Sequence, residues 1–355
     1  CGSIEHKMGI HGSSTCVINF DGAKGWMLGA KFKGMPAMFT FMNTARIGTA
    51  LQGLAAAELS YQNALPYAIE RHSMRSLSGT KVPDKPADPI ICHADVRRML
   101  LTQKAFAEGA RIMCYHAAMK ADFMIFGESE DVRKQADDSL GFITPILKAF
   151  LTEMGSECAN LGVQIFGGHG YIAEHGMEQI VRDTRIASLY EGTTGIQALD
   201  LLGRKIIMAK CKGLFDFSGQ VLKFCGGTLL SKNPHKVNMA KIIASLVAYT
   251  VRWNLLTLRI LARALRNRDA VGAASVDYVM YSGYVSMAYF WARMAQKAHE
   301  KLAQGAGDAA FYQAKIETAQ FYFERMLPRA KGHAATMMAS TGSVMQMPVE
   351  RFRVE

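Results

Sequence analysis

From Gly34 onward the chain is written in long Ala-, Leu- and Met-rich segments whose apolar residues recur at the ~3.6-residue helical period, and strand patterning disappears. That spacing puts a continuous apolar stripe on one face of a helix, and such stripes must be buried against one another. Before Gly34 the pattern is different. Glycine, serine and short alternating runs such as TCVINF, separated by the turn signals DG and KG, read as strand and turn. A mainly α fold follows, with a short β segment at its start.

Prolines and glycines divide the helical part. The first helix is expected over Pro36–Met74, closed by SLSGTKVPDKPADPI, where Pro83, Pro86 and Pro89 forbid continuation. A second runs from His93 to Ile125 and a third from Asp131 to Leu161, kinked or shifted at Pro145. The glycine cluster VQIFGGHGY precedes a short helix over Met177–Leu189, and Glu191 falls in the break behind it. A further helix, capped by Thr193 or Thr194, ends near Lys212. Such lengths and loops suit an antiparallel four-helix bundle. Beyond Gly213 a second helical unit is expected, with helices over Phe215–Leu230, Pro234–Arg268, Ala274–Gln304 and Asp308–Leu327. The state of the tail from Met337 is left open. The expected domains are therefore residues 1–34, 35–212 and 213–355.

Half of the 355 residues are apolar, enough for a large core, and 20% are charged, which excludes a disordered chain. The stretch Met239–Leu265 is the most hydrophobic, but Lys241, Arg252, Arg259 and Arg263 make it a core helix rather than a membrane span. Seven cysteines without a C-x-x-C pair read as small buried residues of a reduced, cytoplasmic protein with no metal. The first residues, CGSIEHKMGIHGSSTC, have no signal-peptide pattern, and a start at Cys1 reads as a cut inside a larger protein. The net charge of +11 favours anionic partners without choosing among them.

Two segments can carry chemistry. In RDTRIASLYEGTTGIQ, Glu191 stands beside a glycine and ahead of a helix N-terminus, either as a surface carboxylate near a favourable dipole or as a base. In VQIFGGHGY, Gly167, Gly168 and Gly170 permit a diphosphate to approach the backbone, or simply end a helix in a tight turn. On the residues alone, Arg71 and Arg46 also read as a solvated helix-end cation and a salt-bridge former. His11, His93, His116, His169 and His175 read as structural or surface groups.

Together, KMGIHGSSTC, the helix ARIGTALQGLAAAELSYQNALPYAIER, QIFGGHGY and YEGT resemble the acyl-CoA dehydrogenase family, in order from Lys7 to Arg204. The resemblance implies the end of a middle β-domain followed by the family's carboxyl-terminal helical bundle and an additional helical domain. It implies FAD-dependent oxidation of an acyl-CoA thioester to the trans-2-enoyl-CoA. Glu191 then matches the catalytic base, and Tyr190 and Gly192 flank it at the thioester. Arg46 matches an arginine near the catalytic centre. Arg71 matches the arginine that pairs with the FAD diphosphate, with Ser73 and Met74 in the same cofactor-binding stretch. Gln164, Gly167 and Gly168 match the segment that holds the FAD of the adjacent subunit, and Thr193 a threonine near the flavin nucleotide. Where the family reads R-x-x-F-G, this chain has Met74 in place of the aromatic, and Gly195 stands where many relatives have glutamine.

The resemblance further implies an electron-transfer flavoprotein as partner and a homodimer or homotetramer. The family's amino-terminal helical domain and most of its β-domain have no counterpart in the sequence, so the chain alone is expected to carry the base without a complete pocket. The unit beyond Gly213 resembles the extension of larger bacterial members, including those acting on 3-methylthiopropanoyl-CoA. The alternatives are such a thioether substrate, a DNA-binding relative of the alkylation-protection kind, which the resemblance does not favour, and a helical interaction module without catalysis.

Overall fold

The computed structural model describes residues 1–230 and 236–353, and the side chains of 39, 40, 43 and 236 are not described. The chain forms two compact units, one of Cys1–Gln103 with Thr152–Glu191 and the other of Lys104–Leu151 with Gly192–Glu355. The fold is mainly α, as the helical spacing predicts.

In the first unit, β1 (Ser3–Ile4) pairs antiparallel with β2 (Cys16–Val17), Ser3 opposite Val17. The alternation of TCVINF thus yields only two strand residues. A strand needs a neighbour for its N–H and C=O groups, and among the described residues the neighbour of this segment is the short stretch around Ser3–Ile4. The helix α1 spans Gly34–Glu70. It stops short of the expected Met74 because Arg71 turns extended, with ψ 123°, and donates its N–H to Tyr67 O. The chain behind it is held as an extended clasp: His72 bridges Pro89, Ile90 N donates to Arg71 O at 2.8 Å and Ser73 N to Asp88 O at 3.0 Å.

The helices α2 (Ala94–Phe126) and α3 (Glu130–Phe166) each contribute one end to each unit. The helix α3 runs unbroken through Pro145 and past the expected end at Leu161. Its last turn is held where Tyr67 stacks on Phe166, with ring centroids 4.1 Å apart, and it ends where Gly167 turns left-handed at φ +60°. Along the first unit α1 and α3 approach closely over small residues. A Cβ on Gly155 would lie 2.5 Å from Gly53 O, and one on Gly162 would lie 2.0 Å from Ser60 Oγ, which donates to Cys158 O at 3.0 Å. At one end of this pair Ala64, Ala68, Met99, Leu100 and Ile165 form a buried cluster. The helix α4 (Met177–Arg185) gives way to a tighter 3-10 turn over Ile186–Ser188, where one helix to Leu189 was expected.

In the second unit α5 (Thr194–Leu199) widens into a π-helical stretch, Asp200–Met208. Lys210 and Cys211, at φ +52° and +62°, turn the chain into α6 (Lys212–Leu230). The expected helix start at Pro234 lies outside the described residues, and α7 is Lys236–Ala264. The helix α8 (Asp269–Ala303) is buried nearly all round from Tyr278 to Ala292 and is the axis on which α7, α9 (Ala309–Phe321) and α10 (Ala330–Met337) pack. Two of its tyrosines are satisfied by direct bonds: Tyr278 Oη with Thr257 Oγ1 at 2.7 Å, and Tyr281 Oη to Tyr249 O at 2.9 Å. The tail forms α11 (Gly342–Met345) and a 3-10 turn, Val349–Phe352. Among the described residues no helix is long and apolar enough to cross a membrane.

Candidate active site and cofactor surface

The Glu191 turn is built from both directions. Upstream, Leu189 N donates to Ile186 O at 2.9 Å, closing the 3-10 turn, Tyr190 N donates to the same oxygen at 3.1 Å, and the Tyr190 hydroxyl donates to Gln52 Oε1 on α1. Downstream, Thr193 is the N-cap of α5: its Oγ1 accepts from Ile196 N at 3.3 Å and its carbonyl from Gln197 N at 2.9 Å. Between these two anchors the chain reverses through two left-handed residues, Glu191 at φ +56° and Gly192 at φ +92°. Glycine suits the second, where φ +92° strains any other residue and a Cβ would also press on the end of the Gln197 side chain, 2.6 Å from Nε2. A non-glycine residue in the left-handed region is uncommon and costs free energy, so Glu191 is a local outlier of the kind that clusters at functional sites. Glu191 as a residue is half-buried.

Two groups at this turn carried no signal in the sequence. Lys148, fully buried on α3, donates its Nζ to Gly192 O at 2.6 Å. Gln197, also fully buried, directs Nε2 at the same oxygen from 3.5 Å. Lys148 was legible only as one more polar residue on a helix, 44 positions before the glycine it touches. Arg46 is buried on α1, at 6% exposure.

The expected cofactor residues fall at one end of the first unit. Tyr67, one turn before Arg71, bonds through its hydroxyl to Phe166 O at 3.2 Å and to His169 Nδ1 at 3.0 Å, so the end of α1 is tied to the glycine segment. Arg71, Ser73, Met74, Gln164, Gly167 and Gly168 are all exposed. At Gly167 and Gly168 a Cβ would meet nothing within 4 Å, which leaves their backbone open to a ligand. Met74 is left-handed at φ +60° and 76% exposed. The proline loop behind it is a folded structure organised by Asp88. That fully buried carboxylate accepts from the N–H groups of Ser76, Val82 and Lys81, each at 2.9 Å, and from Arg75 at 3.1 Å. The Ser76 bond first, against the opposing effect of burial, and then the other donors hold Asp88 well below the usual carboxylate range.

A cleft of about 530 Å³ lies between α1 and α4, lined by Gln52, Ala56, Leu59, Met177, Ile180 and Asp183. None of the expected site residues lines it, although Gln52, the partner of Tyr190, does. The KMGIHG segment closes one side of α4: Ile10 N donates to Asp183 Oδ1 at 2.6 Å, and Arg182 Nη1 to Met8 O at 2.9 Å. Arg182 is itself aligned by Glu178, at 2.5 and 2.9 Å. Thus the segment that ends at Glu191 also grips the first motif.

Residues 33–206 match the family described as Acyl-CoA dehydrogenase, C-terminal domain, and residues 217–348 match that described as Acetyl-CoA dehydrogenase C-terminal like. The chain belongs to the acyl-CoA dehydrogenase family. A 3-methylmercaptopropionyl-CoA dehydrogenase of Ruegeria pomeroyi is 37% identical over 92% of this chain and 54% of its own length. A broad-specificity linear acyl-CoA dehydrogenase of Mycobacterium tuberculosis is 31% identical over 99% of this chain and 59% of its own. The chain therefore spans somewhat over half the length of the curated relatives it matches. A Bacillus anthracis acyl-CoA dehydrogenase crystallised with FAD superposes with a TM-score of 0.69 over 94% of this chain and 56% of its own, at 18% identity, and shares the fold.

Proposed function

We propose that the full-length protein oxidises an acyl-CoA thioester between Cα and Cβ, with Glu191 as the base, and that residues 35–212 carry the catalytic helices while 213–355 form an additional helical domain. The observation that carries this reading is the Glu191 turn, a carboxylate on a strained left-handed backbone in a family whose dehydrogenases need a positioned base. The α-proton passes to the Glu191 carboxylate, and Tyr190 and Gly192 flank it at the thioester. Charge that develops on the thioester oxygen must meet hydrogen-bond donors fixed in place beforehand, and a turn anchored at Tyr190 and Thr193 supplies a rigid backbone there. Arg46 stands near the reacting carbons.

The residues at the other end of the first unit fit a flavin dinucleotide. The open backbone of Gly167 and Gly168, with Gln164 beside them, offers a diphosphate close approach, and the exposed Arg71 guanidinium offers it countercharge. Ser73 and Met74 extend that surface, and Thr193 lies toward the nucleotide. FAD, when bound, accepts the β-hydrogen with its electron pair, leaving the trans-2-enoyl-CoA. An electron-transfer flavoprotein that reoxidises it, a homo-oligomer that completes the FAD site and a cytoplasmic setting belong to the same reading.

The 37% identity to a 3-methylmercaptopropionyl-CoA dehydrogenase favours a short thioether acyl group as a second reading of the substrate. Anaerobic flavin bleaching of the full-length protein with a panel of straight-chain and thioether acyl-CoA thioesters decides between them. The fastest substrate names the class, and bleaching by none of them overturns the proposal.

A further inference from the structure

A lysine with no exposed surface is rare, because its ammonium must be compensated where it lies. Lys148 has 0% exposure and reaches Gly192 O at 2.6 Å, while the Gln197 amide faces that oxygen from 3.5 Å. One side chain comes from α3 and the other from α5, and they converge on the first carbonyl beyond Glu191. The turn they grip is one that the chain does not adopt unaided, since Glu191 and Gly192 are both left-handed. Such a conformation persists only where its surroundings over-determine it.

We infer that Lys148 is a positioning residue for the base: its ammonium, assisted by Gln197, fixes the Gly192 carbonyl and with it the direction in which the Glu191 carboxylate leaves the turn. This rests on Glu191 being the base. The α-proton goes to Glu191, and Lys148 takes no part in the proton transfer. An ammonium donor suits the task because a charged hydrogen bond is shorter and stronger than a neutral one.

The test uses the full-length, FAD-bound enzyme, mixed anaerobically with a saturating acyl-CoA of the length that bleaches the wild type fastest. Lys148→Met fills the same space without the donor and is expected to slow bleaching about 10- to 100-fold, the size of loss that a small misplacement of a reacting group causes. Substrate affinity and FAD content stay at wild-type values, and α-deuteration of the substrate slows the variant by a larger factor than it slows the wild type. Lys148→Gln, which restores an N–H donor, recovers part of the rate.

Bleaching by Lys148→Met within about two-fold of wild type, or a loss lying wholly in substrate or flavin affinity, overturns the inference; a misplaced base lowers the rate of the chemical step. If Lys148→Met does not fold, Gln197→Leu and Lys148→Gln decide, and wild-type rates in both overturn it. Glu191→Gln run beside them separates the two claims. Wild-type bleaching by that variant refutes the base itself, whereas its loss beside an unimpaired Lys148→Met refutes only the positioning role.

Discussion

Glu191 and Gly192 adopt the same hand of backbone, but only one of them is free to do so. The glutamate sits at φ +56° because Tyr190 and Thr193 anchor the chain on either side, and the glycine follows at φ +92°, a conformation open to it because it has no Cβ. Gly192→Ala adds strain in the left-handed region and a Cβ only 2.6 Å from Gln197 Nε2. It should cost about 1–3 kcal/mol in urea unfolding of the full-length protein and slow flavin bleaching at the same time; a variant as stable and as fast as wild type contradicts this account of the turn. At this scale the sequence announced the glutamate, its glycine and the capping threonine, because all three act through neighbours in the chain. Lys148 was not legible, since its role depends on a contact made across two helices.

Among elements, α3 and α8 show what packing adds to a helical pattern. Burial around Ile143, Ile146, Leu147 and Phe150 carries α3 through a proline that, read alone, suggested a kink. Gly283 on α8 lets Phe150 approach, and a Cβ there would lie 2.1 Å from the ring. Gly283→Ala should therefore destabilise by about 1–3 kcal/mol through overpacking, seen as a lowered melting temperature; an unchanged melt contradicts this packing. His116, against Phe290 with ring centroids 5.2 Å apart, is pushed down from 6.5 to about 4, by burial first and then by Lys120 and Arg293.

The unfolded chain takes up a proton at His116 near pH 6.5 and the folded chain resists it down to about pH 4. Stability from this group is complete above that window and is lost as pH falls through it, by at most about 3 kcal/mol. His116→Leu should flatten the melting temperature between those limits, and an equally steep acid dependence in the variant contradicts it. Existence and type of the long helices were legible from spacing alone. Their ends were not: the stop at Glu70 depends on the clasp between His72 and Pro89, and the extension of α3 depends on Tyr67 stacking on Phe166.

Over the whole molecule, three of the four motifs that marked the family fall in the first unit and the fourth, YEGT, runs from its last two residues into the second, which adds a helical body around α8. The chain spans somewhat over half the length of its matched relatives. Of the strand and turn language before Gly34, only the β1–β2 pair forms strand, because alternation describes a strand only where a partner completes its bonds. Everything proposed converges on one carboxylate. Glu191→Gln keeps the size of the side chain and removes its basicity. In the full-length, FAD-loaded enzyme mixed anaerobically with its best acyl-CoA, the account predicts that this variant retains flavin and binds substrate but is nearly unable to bleach. Bleaching at the wild-type rate would contradict it.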